Sequence, residues 1–372
     1  MIPLIILAII TIAIVSDAVI KPSIFKYAIM LFSGIFAIIV TFNYYESIAK
    51  ILYEKEFLPN HIYALSFILI AVIAFIVFKV IGDYAIRSEI KFPGMVSRIG
   101  SIVCAFIFAI LVAGTFFIFG ALLPMPPKYP YARFANKVVL VNQYNDIEPD
   151  KPLISADGLA TGIFKLISSG SFSSDKSFGV LHTDFLNSCY LNRHKIKDEE
   201  NQVNAMTGNQ AIRISMSDKN TVRKAHTSLR TSEGKSVPQI DGKELYIIKC
   251  PFNLKRVENG GTLDNSSKIE LLPCQIRILC NDSYEDGLKG NGVAIYPYGY
   301  LDENRRFVRS NLTNVLSFEV NKKDNKTNTQ DVYLAFFIPE GTEPVALAYK
   351  QNFITELPKQ PGDEEPTETE EN

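Results

Sequence analysis

The chain is poor in the residue types on which nucleic-acid binding and much enzyme chemistry depend. Among its 372 residues there are no tryptophans, four histidines and five cysteines, and 38 basic side chains are balanced by 39 acidic ones. Domains that bind nucleic acids usually carry a basic patch or a basic excess. The net charge of -1 therefore gives no reason to expect a nucleic-acid partner.

Motifs of common enzyme classes are also missing from the sequence. There is no P-loop and no Gly-x-Gly-x-x-Gly motif, either of which would indicate nucleotide binding. The serine-rich segment 168–174 does not form the Gly-x-Ser-x-Gly turn that exposes a hydrolase nucleophile. From these absences we predict that the protein is not an enzyme and uses no cofactor.

Four long apolar runs occupy the first third of the chain. A bilayer core about 30 Å thick is crossed by about 20 mostly apolar helical residues, a length that the last three runs reach and the first approaches. The first run lacks the basic start and the cleavage site of a signal peptide, so we interpret it as a retained helix. The sequence predicts a four-helix transmembrane bundle over residues 1–123. The runs cover residues 2–15, 24–44, 62–80 and 99–123.

Basic residues in the short loops predict the orientation of this bundle. The second loop carries Lys50 and Lys55 among glutamates, whereas the first and third loops are richer in Lys and Arg. Because basic loops remain in the cytoplasm, we expect both termini to lie on the other side. The basic residues at the first and third loops are Lys21, Lys26, Lys79, Arg87, Lys91 and Arg98.

A ridge of small side chains follows one face of the fourth apolar run. Ser101, Ala105, Ala109 and Ala113 recur every four residues, and such a ridge lets another helix approach closely within a membrane. We favour packing inside one chain, with a homo-oligomer through the fourth helix as the alternative. None of the four runs has an ionisable residue at its middle, which counts against transport because transporters usually have such groups.

The bundle resembles the CvpA, or colicin V production protein, family of four-span membrane proteins. The resemblance covers residues 1–123 and depends on a close-set first helical pair and on the stretch Phe-Pro-Gly-Met-Val-Ser-Arg-Ile-Gly at residues 92–100. It implies a bacterial inner-membrane protein linked by name to toxin production or export, and it implies no catalytic residue. Members with an appended domain can carry that domain outside the cytoplasm, which here means a periplasmic domain.

The rest of the chain divides by composition into four further segments. Prolines in 124–136 predict a stiff linker, because clustered prolines cannot continue a helix. We interpret 137–200 as a mixed α/β segment and 201–357 as a β-sandwich-like domain. The acidic segment 358–372 predicts disorder. Within the mixed segment the pattern predicts a strand at 137–141 and helices at 155–169 and 183–193.

Short runs of β-branched and aromatic residues predict an antiparallel sandwich within an α+β fold. We expect the last two runs to be neighbouring strands, because only a polar loop separates them. This ending is similar to the closing strands of an immunoglobulin-like sandwich. The predicted strands are 211–216, 244–250, 268–279, 292–298, 314–320 and 331–338.

A few ionisable residues lie close together between 182 and 194. His182, Asp184, Cys189 and His194 would suit a zinc site or a Cys–His nucleophile. On a helix, however, Cys189 faces the same side as Phe185, and the spacing is not that of paired metal ligands. We therefore predict no metal and no catalytic residue here, with His182, Cys189 and His194 as the best metal candidates.

Four cysteines follow the apolar runs, and an even number in an extracytoplasmic domain allows disulfides. The candidates are Cys189, Cys250, Cys274 and Cys280. Cys274 and Cys280, if they share one strand, would be about 20 Å apart and could not pair with each other. Four separate buried thiols are the alternative.

The sequence as a whole favours a membrane anchor that displays a binding or scaffold domain outside the cytoplasm. Its partners would then be the lipid bilayer and a protein of the cell envelope. Two alternatives remain open at this point. The bundle could be a channel or export component, or the domain could be an envelope peptidase or thiol enzyme that uses His182, Asp184 and Cys189.

Overall fold

The four apolar runs form four long helices. Each helix is long and apolar enough to cross a membrane, and α4 ends just before the prolines that begin at Pro124. With 30 and 29 residues, α2 and α4 are about 45 Å long, which exceeds the thickness of a bilayer core. The bounds are α1 (Ile2–Ile20), α2 (Ile24–Tyr53), α3 (Ile62–Ala85) and α4 (Gly94–Leu122).

The computed structural model of the chain describes most of it. Outside the described residues lie the predicted strand at 137–141 and the acidic tail beyond Lys359. The described residues are 2–55, 58, 60–86, 92–126, 128–134, 149–150, 152–169, 175–194, 206–208, 210–225, 229–259, 268–320 and 328–359.

The first two helices meet at their connecting turn. There the Asp17 carboxylate accepts hydrogen bonds from Lys26 and from the Tyr27 hydroxyl, both at 2.6 Å. Farther along, the main neighbour of α1 is α4, while α2 packs against both α3 and α4. The sequence predicts that α1 and α2 form a close-set pair, but in the structure they are close at their connecting turn only.

The chain divides into two compact units, which we call the helical unit and the β-rich unit. The helical unit takes in Met1–Ala135, Pro149–Ile167 and Phe185–Arg193, and the rest of the chain belongs to the β-rich unit. The helical unit therefore includes α5 (Ala156–Ser169), except its last two residues, and α7 (Phe185–Leu191). In this division, the predicted segment 137–200 is shared between the two units.

Antiparallel strands form the β-rich unit, together with α6 (Phe178–Leu181) and α8 (Leu254–Asn259). In the described residues one sheet has the order β1-β2-β9-β6-β7, another has β11-β10-β4-β5, and β3 pairs with β8. The strands are β1 (Val222–Lys224), β2 (Lys243–Asn253), β3 (Lys268–Leu271), β4 (Ile276–Asn281), β5 (Val293–Ile295), β6 (Gly299–Leu301), β7 (Phe307–Arg309), β8 (Leu316–Glu319), β9 (Thr329–Pro339), β10 (Glu343–Tyr349) and β11 (Phe353–Glu356).

One hydrophobic core joins the two larger sheets. Ile248 and Phe336 of the first sheet are buried in the same cluster as Ile278 and Leu347 of the second. The other face of the second sheet is covered as well, since Val180 of α6 packs there. Burial on both faces explains why β4 is buried at every position.

Three strand predictions differ from the structure. The run 268–279 is divided, because a 3-10 helix at Pro273–Gln275 separates β3 from β4. The run 211–216 forms no strand and pairs only through the bridge between Ile212 and Phe252. The last two predicted runs are not neighbours, since β8 pairs with β3 whereas β9 lies between β2 and β6.

Candidate functional site

The helix α5 begins directly against α4. A Cβ atom added to Gly114 would lie 2.2 Å from the carbonyl oxygen of Ala156, so only glycine allows this approach. Ala156 is fully buried in a cluster with Leu7 and Phe117. The first turn of α5 is thus fixed by the long helices α1 and α4.

An aromatic layer joins α5 and α7 to α2. The Phe42 ring of α2 stacks on Phe164 of α5, with ring centroids 5.0 Å apart. The same ring meets Phe185 of α7 edge-on, with a centroid distance of 5.4 Å. Both amphipathic helices therefore bury their apolar faces within the helical unit.

Polar side chains meet where the segment after α4 passes α5 and α7. Asp157 is 1% exposed, and its carboxylate accepts hydrogen bonds from the Tyr131 hydroxyl at 2.6 Å and from the Gly158 amide at 2.8 Å. Arg133 donates to the Tyr131 hydroxyl at 2.9 Å and to Asn187 Oδ1 at 2.6 Å. A carboxylate at the first turn of a helix also interacts favourably with the helix dipole.

A second buried guanidinium group lies at the end of α7. Arg193 is 1% exposed and lies over the Tyr190 ring, 4.4 Å from its centroid. Its Nε donates to the Cys189 carbonyl at 3.3 Å. Within the described residues, neither of its Nη atoms makes a hydrogen bond of normal geometry, and nor does the Tyr190 hydroxyl. The Tyr190 ring in turn lies 5.3 Å from the Tyr131 ring.

Burial shifts the proton affinity of these groups. It lowers the pKa of Arg193 and raises the pKa values of Tyr190 and Tyr131, because burial disfavours each charged form. The phenols therefore remain protonated and can donate hydrogen bonds. We call Tyr131, Arg133, Asp157, Tyr190 and Arg193 the arginine cluster.

The helical unit also contains an apolar cavity of about 400 Å³. The hydroxyl group of Thr115 lies at its wall and donates to the Leu111 carbonyl at 2.9 Å, so it is satisfied within its own helix. Such a cavity suits hydrocarbon rather than a polar ligand. Residues of all four long helices line it, among them Ile14, Gly34, Ile68, Phe75, Phe108 and Leu111.

A buried ion pair lies in the β-rich unit. Arg277 Nε is 3.3 Å from Asp184 Oδ1, and the Arg277 side chain is 3% exposed. The Tyr296 hydroxyl donates a hydrogen bond to the other carboxylate oxygen of Asp184. The Asp184 carboxylate is thus the counter-ion of Arg277 and the hydrogen-bond acceptor of Tyr296.

A buried lysine follows β10. Lys350 is 2% exposed, and its Nζ donates to the Met206 carbonyl at 3.3 Å. Burial lowers the pKa of Lys350 to about 7, because the charged ammonium loses hydration. Its backbone also has a positive φ of 54°, which a tight turn after the strand requires.

The residues proposed as metal candidates are divided between the two units. Cys189 is buried in the helical unit, whereas His182 and His194 belong to the β-rich unit. The His182 ring packs on Phe178 at 4.9 Å, and the His194 carbonyl accepts a hydrogen bond from Gln275. In the described part of the chain, no group of three or more His, Cys, Asp or Glu residues is arranged to hold a metal ion.

All five cysteines are free thiols, so the proposed disulfides do not form in this structure. Cys189, Cys250, Cys274 and Cys280 are each buried, and the partly buried Cys104 lies in α4. Burial raises the pKa values of Cys250, Cys274 and Cys280. Cys274 lies in the 3-10 helix rather than on the strand that carries Cys280, contrary to the prediction that they share a strand.

The small-residue ridge is buried within the helical unit. Ser101, Ala105, Ala109 and Ala113 all have no exposed surface. Ala105 packs with Ala18 and Tyr27, and Ala113 packs with Leu7. The Ser101 hydroxyl donates to the Ser97 carbonyl at 2.6 Å, so it is satisfied within its own helix.

The arginine cluster is not among the sites predicted from the sequence. Arg193 follows Cys189 by four residues and Tyr190 by three, which is the spacing of one helical face. That spacing places a cation on the buried side of α7, and it is the signal that could have identified Arg193. Arg133 has no such signal, because it lies in an irregular segment after the prolines.

The chain was compared with models of known protein families, with curated proteins and with solved structures, and none of them matches it. The proposals that follow therefore depend on the chain's own residues and geometry.

Proposed function

We propose that the chain is an integral protein of the bacterial inner membrane whose helical unit anchors a ligand-binding domain. One observation carries the proposal. The side chains that α1–α4 leave exposed are large and apolar, which is the reverse of a water-soluble bundle. Such a surface is stable when it is surrounded by lipid. Examples are Ile5, Ile9, Ile12, Phe32, Phe36, Leu69, Ile73, Ile76, Val80 and Val103.

The β-rich unit is proposed to lie outside the cytoplasm. The support is the excess of Lys and Arg in the first and third loops over the second. The CvpA-like layout of residues 1–123 is consistent with this orientation, and on that resemblance we propose a link to toxin production or export.

The proposed role of the β-rich unit is to bind a protein of the cell envelope. A groove of about 740 Å³ beside the start of β2 supports this role. Its wall combines apolar side chains such as Ile240 and Phe337 with charged ones such as Lys224 and Glu340. Interfaces between proteins commonly combine an apolar centre with a polar rim.

Membrane extraction tests the anchoring proposal. Cells that express the full chain are fractionated, and the membranes are washed with alkaline carbonate and then with detergent. We expect the protein to remain in the membrane through the carbonate wash and to be released by detergent. Release by carbonate alone would contradict an integral anchor.

Photocrosslinking tests the binding role. A photoreactive amino acid at Ile240, in the groove, should give a discrete crosslinked product in intact cells. The same amino acid at Met216, which is 54% exposed and does not line the groove, is the matched control. Equal products from the two positions, or none from Ile240, would contradict a binding role for this groove.

A further inference from the structure

The arginine cluster contains more positive than negative charge, and it is buried. Arg133 and Arg193 are 6% and 1% exposed, and Asp157 is the carboxylate that shares the cluster with them. Asp157 is already engaged by Tyr131, Ser155 and the Gly158 amide. In the described residues no carboxylate forms an ion pair with Arg193. A buried cation without a counter-charge is strongly unfavourable, so a negative partner is expected.

Three buried hydrogen-bond donors lie in the Arg193 guanidinium and beside it. They are its two Nη atoms and the Tyr190 hydroxyl, which make no hydrogen bond of normal geometry to the described residues. The guanidinium carbon lies over the Tyr190 ring, 4.4 Å from its centroid, and this cation–π contact helps to hold the group in place. A planar pair of N–H groups together with a hydroxyl matches a group that offers three oxygen atoms.

We propose that Arg193 and Tyr190 bind an anion with phosphate chemistry. Each Nη donates to one phosphate oxygen, and the Tyr190 hydroxyl donates to a third oxygen, which is a free oxygen of inorganic phosphate or an ester or hydroxyl oxygen of a lipid headgroup. Arg133, through its hydrogen bonds to Tyr131 and Asn187, adds positive charge to the same cluster without ligating the anion. Phosphate of this kind comes either from inorganic phosphate or from the headgroup of an anionic lipid, which basic pockets beside membrane helices can bind.

Anion-dependent stability of the full chain tests the proposal. The protein is purified in detergent without phosphate, and its Tm is measured with inorganic phosphate against chloride at equal ionic strength. A second arm compares bilayer discs of phosphatidylcholine with discs that also contain phosphatidylglycerol. A ligand that binds only the folded state raises the Tm. We expect a rise of several degrees in at least one arm.

Three variants connect the response to the cluster. Arg193→Gln should lose the rise in Tm, and Tyr190→Phe, which keeps the ring under the guanidinium, should show a smaller one. Arg230→Gln is the matched control, because Arg230 is exposed in the β-rich unit and donates to Ser236. That variant should respond as the wild type does.

The outcomes separate the two sources and decide the proposal. A rise with inorganic phosphate assigns free phosphate chemistry, whether or not phosphatidylglycerol also raises the Tm, and a rise with phosphatidylglycerol alone assigns the lipid headgroup. No rise of the wild type in either arm would overturn the proposal, as would an unchanged rise in Arg193→Gln. If Arg193→Gln does not fold, Tyr190→Phe decides: a weaker response supports the proposal, and a full response contradicts it.

Discussion

At the scale of single residues, the burial of charged side chains is the main feature of this chain. Arg193, Arg277 and Lys350 are each at most 3% exposed. Helical spacing could place Arg193 on a buried face, whereas alternation in β4 puts Arg277 opposite Ile276 and Ile278 and does not predict its burial. Sequence patterns could not identify the partners, because Asp184 and Tyr296 approach Arg277 from distant parts of the chain.

Lys350 gives a prediction about pH. Its pKa is about 7 in the folded chain and about 10.5 when unfolded, so the unfolded state binds more protons between these values. Stability must then rise with pH across this window, by about 1.4 kcal/mol per pH unit. Lys350→Met removes that slope and stabilises the protein most below pH 7, where the buried ammonium costs most.

Hydrogen exchange of the β10 segment in a urea series measures this effect for the full chain in detergent. The difference in unfolding free energy between wild type and Lys350→Met, taken at pH 7.5 and at pH 9, separates the contribution of the lysine from that of other titrating groups. The lost hydrogen bond to the Met206 carbonyl lowers the stability of the variant by the same amount at each pH. Parallel pH dependences of the two proteins would contradict the lowered pKa.

The Asp184–Arg277 pair predicts strong coupling between two substitutions. Asp184→Asn leaves the Arg277 charge buried without its counter-ion, and we expect a loss of about 3 kcal/mol. Arg277→Met should cost a similar amount, whereas Tyr296→Phe should cost about 1 kcal/mol.

A double-mutant cycle by urea unfolding checks this prediction. If the pair is coupled, the variant with both Asp184→Asn and Arg277→Met loses much less than the sum of the two single losses. Additive losses would show that the two side chains act independently.

At the scale of elements, local pattern predicted helices well and strand pairing poorly. The structure confirms the four long helices and α5, because each depends on hydrophobic periodicity within one segment. Strand partners depend on the whole chain. The pairing of β8 with β3 joins residues about 50 positions apart, which no nearby pattern indicates. Pro273 was a visible signal, since proline does not continue a central strand.

Because α5 begins directly against α4, replacing glycine by alanine should have opposite effects on stability at Gly114 and at Gly162. Gly114→Ala should destabilise the helical unit by about 1–3 kcal/mol, because its Cβ would overlap the Ala156 carbonyl. Gly162→Ala, in α5, meets no atom within 4 Å and should stabilise by about 0.5–1 kcal/mol.

Thermal unfolding in detergent, with hydrogen exchange of α5 peptides, distinguishes the two variants. Faster exchange in α5 is expected for Gly114→Ala only. Equal behaviour of the two variants would contradict the close approach of α5 to α4.

At the scale of the whole molecule, composition predicted two parts but not how the chain is shared between them. The prolines after α4 suggested one passage from helices to domain. In the structure, residues 149–167 and 185–193 belong to the helical unit instead. Their apolar faces, carried by residues such as Phe164 and Phe185, find partners on α2 rather than on the strands. An amphipathic pattern shows that a face is buried but not which surface covers it.

The central claim is that the chain spans a membrane with the β-rich unit outside the cytoplasm. Single cysteines at Lys21, Lys55 and Glu233, which are all exposed, can be labelled with a membrane-impermeant maleimide in spheroplasts. The wild type is the control, because four of its five thiols are buried and Cys104 lies within α4. We predict that Lys55→Cys and Glu233→Cys react in intact spheroplasts and that Lys21→Cys reacts only after permeabilisation. Labelling of Lys21→Cys in intact spheroplasts, with Glu233→Cys protected, would contradict the account.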